Sequence, residues 1–232
     1  MKIDILKETF EITHHKIVRW PKEKILFCAD LHLGREIVHQ KKGFRLPYGA
    51  MEKDLERLKS LIHQEERLII VGDFIHHGIA LTDSIVEIIE KWIDGLSIQV
   101  DLVIGNHDRA LRKKLPSSWK LSIQDELEIG QFLFCHEPQT REKFVWAGHV
   151  HPMFHISHGS ESIRLPCYYI ENKYGIIPAF GSMTGGHLMK SSSTSQIYVV
   201  TDQRVRSMIA APATNRKAIA KPSPKKGTAR SL

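Results

Sequence analysis

At 232 residues, 42% of them hydrophobic and 25% charged, the chain has material for one large α/β core and too little for a second full domain. No apolar run nears the roughly 18 residues that cross a bilayer, and charges stand where a secretion signal would be apolar, so the sequence predicts a soluble cytoplasmic protein with no membrane partner. The net charge of +7 is local: Arg216, Lys217, Lys221, Lys225, Lys226 and Arg230 fall within residues 213–232, where there is no acid, and the body is close to neutral.

The first 20 residues alternate apolar and polar side chains around Thr13-His14-His15, which predicts a hairpin or short edge strands ended by Pro21. Ile25 to Ala29 is a buried strand that delivers Asp30 and His32. Residues 36–49 hold Gly43, Pro47 and Gly49 with little periodicity and predict a loop over the mouth of a site. Met51, Leu55, Leu58 and Ile62 fall at helical spacing. The apolar run Leu68 to Val71 then stops at Gly72 and exposes Asp73. A second helix runs from about Ser84, where Ser84 to Glu87 fits a capping box, to a stop at Gly95. Val100 to Ile104 leads to Asn106 and His107. Strands alternating with helices imply parallel pairing with the helices outside.

From Trp119 onward the signals are strands: Phe132 to Cys135 ends at His136, and Val145 to Gly148 ends at His149 and His151. Glu171 to Gly175 reads as a hairpin connection, Gly181 to Gly186 as a flexible loop, and Gln196 to Val200 with Val205 to Met208 as a last hairpin. The whole predicts two facing sheets with helices outside, in one domain over residues 1–212. Residues 213–232 are too rich in Ala, Pro, Ser and Lys to bury a core and form a basic tail, expected to be disordered, whose charge could add affinity for phosphate backbones. Cys28, Cys135 and Cys167 are odd in number and set in apolar surroundings, as reduced core thiols are. Trp146 and Tyr168 read as core rather than as platforms for bases.

Four strands and a fifth element thus each end in residue types that bind metals. On extended segments, residues two apart face one side, so Asp30 with His32, and His149 with His151, could each face one ion. Two carboxylates, an amide and four imidazoles exceed the needs of one ion and suffice for two if Asp73 bridges. A mixed oxygen and nitrogen set without thiolate suits Mn, Fe, Zn, Co or Ni. Paired divalent ions stabilise both the attacking and the leaving oxygen of a displacement at phosphorus, so phosphoester hydrolysis is the expected chemistry. Arg35 and Arg109 flank the motifs and could clamp a phosphate.

Asp30-Leu31-His32, Gly72-Asp73-Phe74-Ile75-His76, Gly105-Asn106-His107-Asp108, His136 and Gly148-His149-Val150-His151 resemble the five signature blocks of the calcineurin-like metallophosphoesterases. Trp20-Pro21, Arg164 to Cys167 and Pro178 to Gly186 resemble the bacterial DNA-ligase-associated subfamily. The resemblance implies a four-layer αββα sandwich with two facing mixed sheets. It implies one metal, most often Mn, on Asp30, His32, Asp73 and His151, and a second on Asp73, Asn106, His136 and His149, with a metal-bridging hydroxide as nucleophile. It further implies that His107, held by Asp108, protonates the leaving oxygen, and that His76 helps position substrate. The implied function is a nuclease acting on DNA in repair, with repair enzymes including a ligase as partners; the alternative with the same metals is a phosphomonoesterase acting on phosphoproteins or nucleotides.

Overall fold

The computed structural model describes residues 1–44 and 49–208. Residues 45–48, in the expected mouth loop, and the basic tail lie outside the described residues.

The first sheet holds seven strands in sequence order: β1 (Lys2–Ile5), β2 (Glu8–Ile12), β3 (Val18–Trp20), β4 (Ile25–Cys28), β5 (Arg67–Val71), β6 (Gln99–Val103) and β7 (Ser122–Gln124). β1 to β4 pair antiparallel and β4 to β7 parallel. Four helices punctuate this half: α1 (Arg35–Lys41), α2 (Ala50–Ser60), α3 (Asp83–Asp94) and α4 (Arg109–Lys114). The second sheet is built from β8 (Leu127–Ile129), β9 (Phe132–Phe134), β10 (Phe144–Ala147), β11 (Pro152–His158), β12 (Glu161–Ile170), β13 (Tyr174–Ile176), β14 (His187–Leu188), β15 (Gln196–Val200) and β16 (Val205–Met208). Its strand order is β14-β11-β12-β13-β10-β9-β8, with β15 also paired to β12 and β16 to β15.

The unbroken apolar runs of β4 and β5 follow from burial on both faces. Ile25, Phe27, Ile69 and Val71 point to the second sheet, where they meet Phe132, Phe134, Trp146 and Tyr168. Leu26, Cys28, Leu68 and Ile70 point the other way, under Met51, Leu55 and Leu58 of α2 and Ile85, Ile89 and Trp92 of α3. On the outer face of the second sheet Cys167, Tyr169, Ile176, Ile197 and Val199 are buried, with Met189, Met208 and Tyr174 packed against them. The architecture is therefore two facing mixed sheets with helices, consistent with the αββα sandwich the sequence predicts; among the described residues the helices lie against the first sheet. Phe10 joins the sheets through near-perpendicular contacts to Phe132 and Trp146, at ring-centroid distances of 5.0 and 5.2 Å. All three cysteines are buried and unpaired by disulfides, as expected. No helix among the described residues is long and apolar enough to cross a membrane.

Two local expectations are corrected and one element is added. Residues 36–49 were expected as loop, but α1 occupies Arg35–Lys41; buried Glu36 turns back to accept the amide of Met51 (3.0 Å), joining α1 to the start of α2. The capping box at Ser84 does not form: α3 begins at Asp83 with Thr82 at its N-cap, and the Ser84 hydroxyl lies 3.0 Å from that of Thr82. The short helix α4 follows directly on the Asn106 block, where no helix was expected.

Candidate metal centre

A strand's carboxyl end is where an α/β sheet presents ligands. The carboxyl ends of β4, β5 and β6 bring Asp30, His32, Asp73 and Asn106 to one edge, and β9 and β10 bring His136, His149 and His151 to the facing edge. The seven side chains expected from the sequence meet there. The Nε2 atoms of His32 and His151 lie 3.2 Å apart, with Asp30 Oδ1 3.4 Å from the latter. Asn106 Oδ1 is 3.0 Å from both His136 Nε2 and His149 Nδ1. A single oxygen, Asp73 Oδ2, lies 3.6 Å from His32 Nε2 and 3.3 Å from His136 Nε2, so this carboxylate sits between the two groups.

The local backbone differs from the extended reading. Asp30, His32, Asp73, His149 and His151 have φ of 56°, 50°, 49°, 67° and 49°, all in the left-handed region that residues with a Cβ avoid. The chain leaves each strand in a turn, and the side chains converge because the turns aim them, not because a pleat alternates. Such strain, of order 1–3 kcal/mol per residue, persists where the surroundings over-determine it and concentrates at functional sites. Glycine makes the crowding possible: a Cβ on Gly105 would stand 2.2 Å from Asp73 Oδ1, and one on Gly72 2.0 Å from His136 Nδ1.

Hydrogen bonds set the tautomers. His136 Nδ1 faces the Val71 carbonyl at 3.3 Å and His151 Nδ1 the Gly185 carbonyl at 3.0 Å, which fixes those protons outside and leaves each Nε2 a lone pair facing the centre. His32 Nδ1 is 3.3 Å from His76 Nδ1, an arrangement that does the same for His32 if His76 accepts. Burial, reinforced by Arg35, pushes the His76 imidazole down to about 4, so the ring is neutral and one of its nitrogens is free to accept. His32 is pushed down to about 3, chiefly by burial. For His136 and His151 burial acts downward, but hydrogen bonds and charge from Asp73 and Asp30 respectively outweigh it, and both are raised. Burial would raise Asp73, yet hydrogen bonding and charge from His136 with the amide of His107 bring it down to about 2. Two nearly inaccessible carboxylates, an amide oxygen and imidazole lone pairs pressed to within 3–4 Å fit divalent cations. Without one, several of these acceptors face each other.

Asp108 is not where its expected role requires. Its carboxylate accepts the amides of Phe74 (3.2 Å), Ile75 (2.8 Å) and Gly105 (3.0 Å), clamping the β5 turn to the β6 turn. His107 Nδ1 instead pairs with the His76 carbonyl at 2.6 Å. Burial raises the Asp108 carboxyl to about 6. Asp108→Asn exchanges one acceptor oxygen for an amide NH2 donor facing N–H groups, and is expected to cost about 2–4 kcal/mol of stability in urea unfolding.

Of the expected phosphate contacts, Arg35 is half-buried beside His76, and exposed Arg109 opens α4 on a groove of about 560 Å³ that it lines with Asn106 and His136. His76 is also stacked on His107, at 5.1 Å and 17°. The sequence missed His39, stacked on His76 at 5.9 Å, and the Gly185 carbonyl; only the fold brings either one to the site.

Paired sheets whose facing edges hold a carboxylate between two clusters of imidazoles define a metal-dependent phosphoesterase. The chain belongs to the calcineurin-like phosphoesterase family, whose model matches residues 23–177. Among solved structures it is similar to the Pseudomonas putida nuclease MPE, with 32% identity, a TM-score of 0.78, and coverage of 90% of this chain and 99% of that one. A protein of unknown function from Aquifex aeolicus aligns at 20% identity over 55% of this chain and 78% of its own, with a TM-score of 0.39, too low to carry an argument. None of the curated proteins matches. As a member of this family the protein uses divalent metal ions.

Proposed function

We propose that the protein is a two-metal phosphodiesterase, a nuclease acting on DNA in repair, of the DNA-ligase-associated kind. The observation that supports this most is that seven convergent donors lie in a chain that aligns along nearly the whole of a nuclease. Asp30, His32, Asp73 and His151 would hold one ion, and Asp73, Asn106, His136 and His149 the other, Mn being the expected metal. Bound there, the ions supply Lewis acidity, activating water and neutralising charge on the phosphate.

The protein's own groups do the rest. Asp30 also accepts the amide of His149, at 3.1 and 3.0 Å, which holds the β10 turn against the β4 turn. His107 is half-buried, its ring centroid 4.9 Å from that of His32. With Nδ1 taken by the His76 carbonyl, Nε2 is the atom that gives a proton to the leaving oxygen. Arg35 and Arg109 flank the centre and steer phosphate towards it.

The test is turnover of an aryl phosphodiester, its monoester and single-stranded and duplex DNA by protein loaded with Mn. Diester and DNA cleavage, abolished by a chelator, is expected. A strong preference for the monoester would replace the nuclease reading with that of a phosphomonoesterase.

A further inference from the structure

β2 pairs antiparallel with β3 and β3 with β4, so β2 runs parallel to β4 and its carboxyl end opens on the same edge as Asp30. The loop at that end, Thr13 to Lys16, was read in the sequence only as a turn between edge strands. In the structure it is pinned from both sides. The buried Tyr168 hydroxyl accepts the Thr13 amide (3.3 Å) and lies 2.8 and 2.9 Å from the carbonyls of Thr13 and Ile17. From α2, Arg57 donates to the His15 carbonyl (3.4 Å), to Asp54 (2.9 Å) and to the Phe180 carbonyl (2.7 Å), with its guanidinium 3.6 Å over the Phe180 ring. Asp54 in turn accepts both the amide (2.8 Å) and the hydroxyl (2.9 Å) of Ser182. Arg57 and Asp54 therefore fasten the Lys16 loop to the loop that begins at Gly181.

Between these two loops lies a pocket of about 150 Å³ whose lining includes Lys16, Gly181, Thr184, Gly185 and His151. Its one lysine is held with φ of 63°. The charges around it are otherwise spent: Arg57 is matched by Asp54, whose oxygens are taken up by Arg57 and Ser182. The Lys16 ammonium has no hydrogen bond or ion pair among the described residues, and burial, with the nearby Arg57 charge and against the weaker pull of Asp54, pushes it down to about 8. A half-buried ammonium with no anionic group in hydrogen-bond contact is held at a cost that a bound anion relieves.

We propose that this pocket, with Lys16 as its cation, binds a phosphodiester group of the substrate strand next to the one being cleaved, so that Lys16 is a positioning residue for polynucleotides. The inference rests on the nuclease reading. The pocket shares His151, one of the expected ligands, with the metal centre, so a phosphate seated on Lys16 lies beside the reacting one along a continuous strand, whereas a small aryl diester has no second phosphate to place there.

The test compares Lys16→Ala and Lys16→Arg with the full-length Mn-loaded wild type, on a single-stranded oligodeoxynucleotide and on an aryl phosphodiester. For Lys16→Ala the oligonucleotide KM is expected to rise about tenfold, with kcat changed far less, and the slope of log KM against log salt to flatten by about 0.7, the share of one phosphate contact on a single strand. The aryl diester should lose much less, and Lys16→Arg should restore most of the oligonucleotide KM. Lys22→Ala, which removes one charge at the opposite edge of the sheet, controls for net charge. Thermal unfolding of each variant near the wild-type midpoint excludes a folding defect. Equal losses on the two substrates, no rescue by arginine, or an oligonucleotide KM no different from wild type would overturn the subsite. A wild type that cleaves the aryl diester and no oligonucleotide would overturn the nuclease reading first, and this one with it.

Discussion

Asp73→Asn is expected to lower turnover of an aryl phosphodiester by at least about 10³-fold and to take the bound metal from two ions per chain to one or fewer, read by elemental analysis of the purified protein. The magnitude follows from position. Asp73 Oδ2 lies between His32 and His136, one imidazole from each cluster, so this one charge serves both halves of the centre. Asp73 is 2% exposed, and no solvent can replace it. An asparagine keeps the shape and can still accept the His107 amide, now 2.9 Å from Oδ1, so the fold should survive and the loss should fall on metal and rate. Full turnover with two ions bound to Asp73→Asn would remove Asp73 from between the metals and with it the two-metal arrangement.

How much of this was legible in the sequence varies with the physics. The apolar runs before Asp30 and Asp73 were readable because a strand buried on both faces needs them, and their side chains divide between two cores. The convergence of seven donors could be read from where those runs stop. The way they converge could not, because residue types two apart do not reveal whether the backbone between them is extended or left-handed. The loop over 36–49 was misread because Gly43, Pro47 and Gly49 signal breaks, while α1 spans only seven residues and draws support from Glu36 reaching the start of α2. Asp108 was misassigned for a related reason. Its neighbour in sequence is His107, but three backbone amides from two turns outcompete one imidazole for a buried carboxylate. Lys16 was invisible altogether, since only the strand order β2-β3-β4 places residue 16 opposite residue 181.

His107→Ala should separate proton transfer from metal binding. The His107 contact to Asp73 is made by its backbone amide, which alanine retains, so both ions are expected to stay bound and the melting temperature to change little. What is lost is the imidazole Nε2. A general acid contributes most where the leaving oxygen is most basic, so DNA, which expels a sugar alkoxide, should lose about 10²–10³-fold in kcat. A nitrophenyl diester expels an anion that is stable near neutral pH and should lose roughly tenfold or less by the same Brønsted argument. The prediction is therefore a divergence between two substrates of one variant, measured under identical metal loading. Equal losses on both would mean that His107 binds the phosphate without donating a proton. The stacking of His107 on His76 would then serve to hold the ring towards the substrate, and the proton for the leaving oxygen would have to come from water.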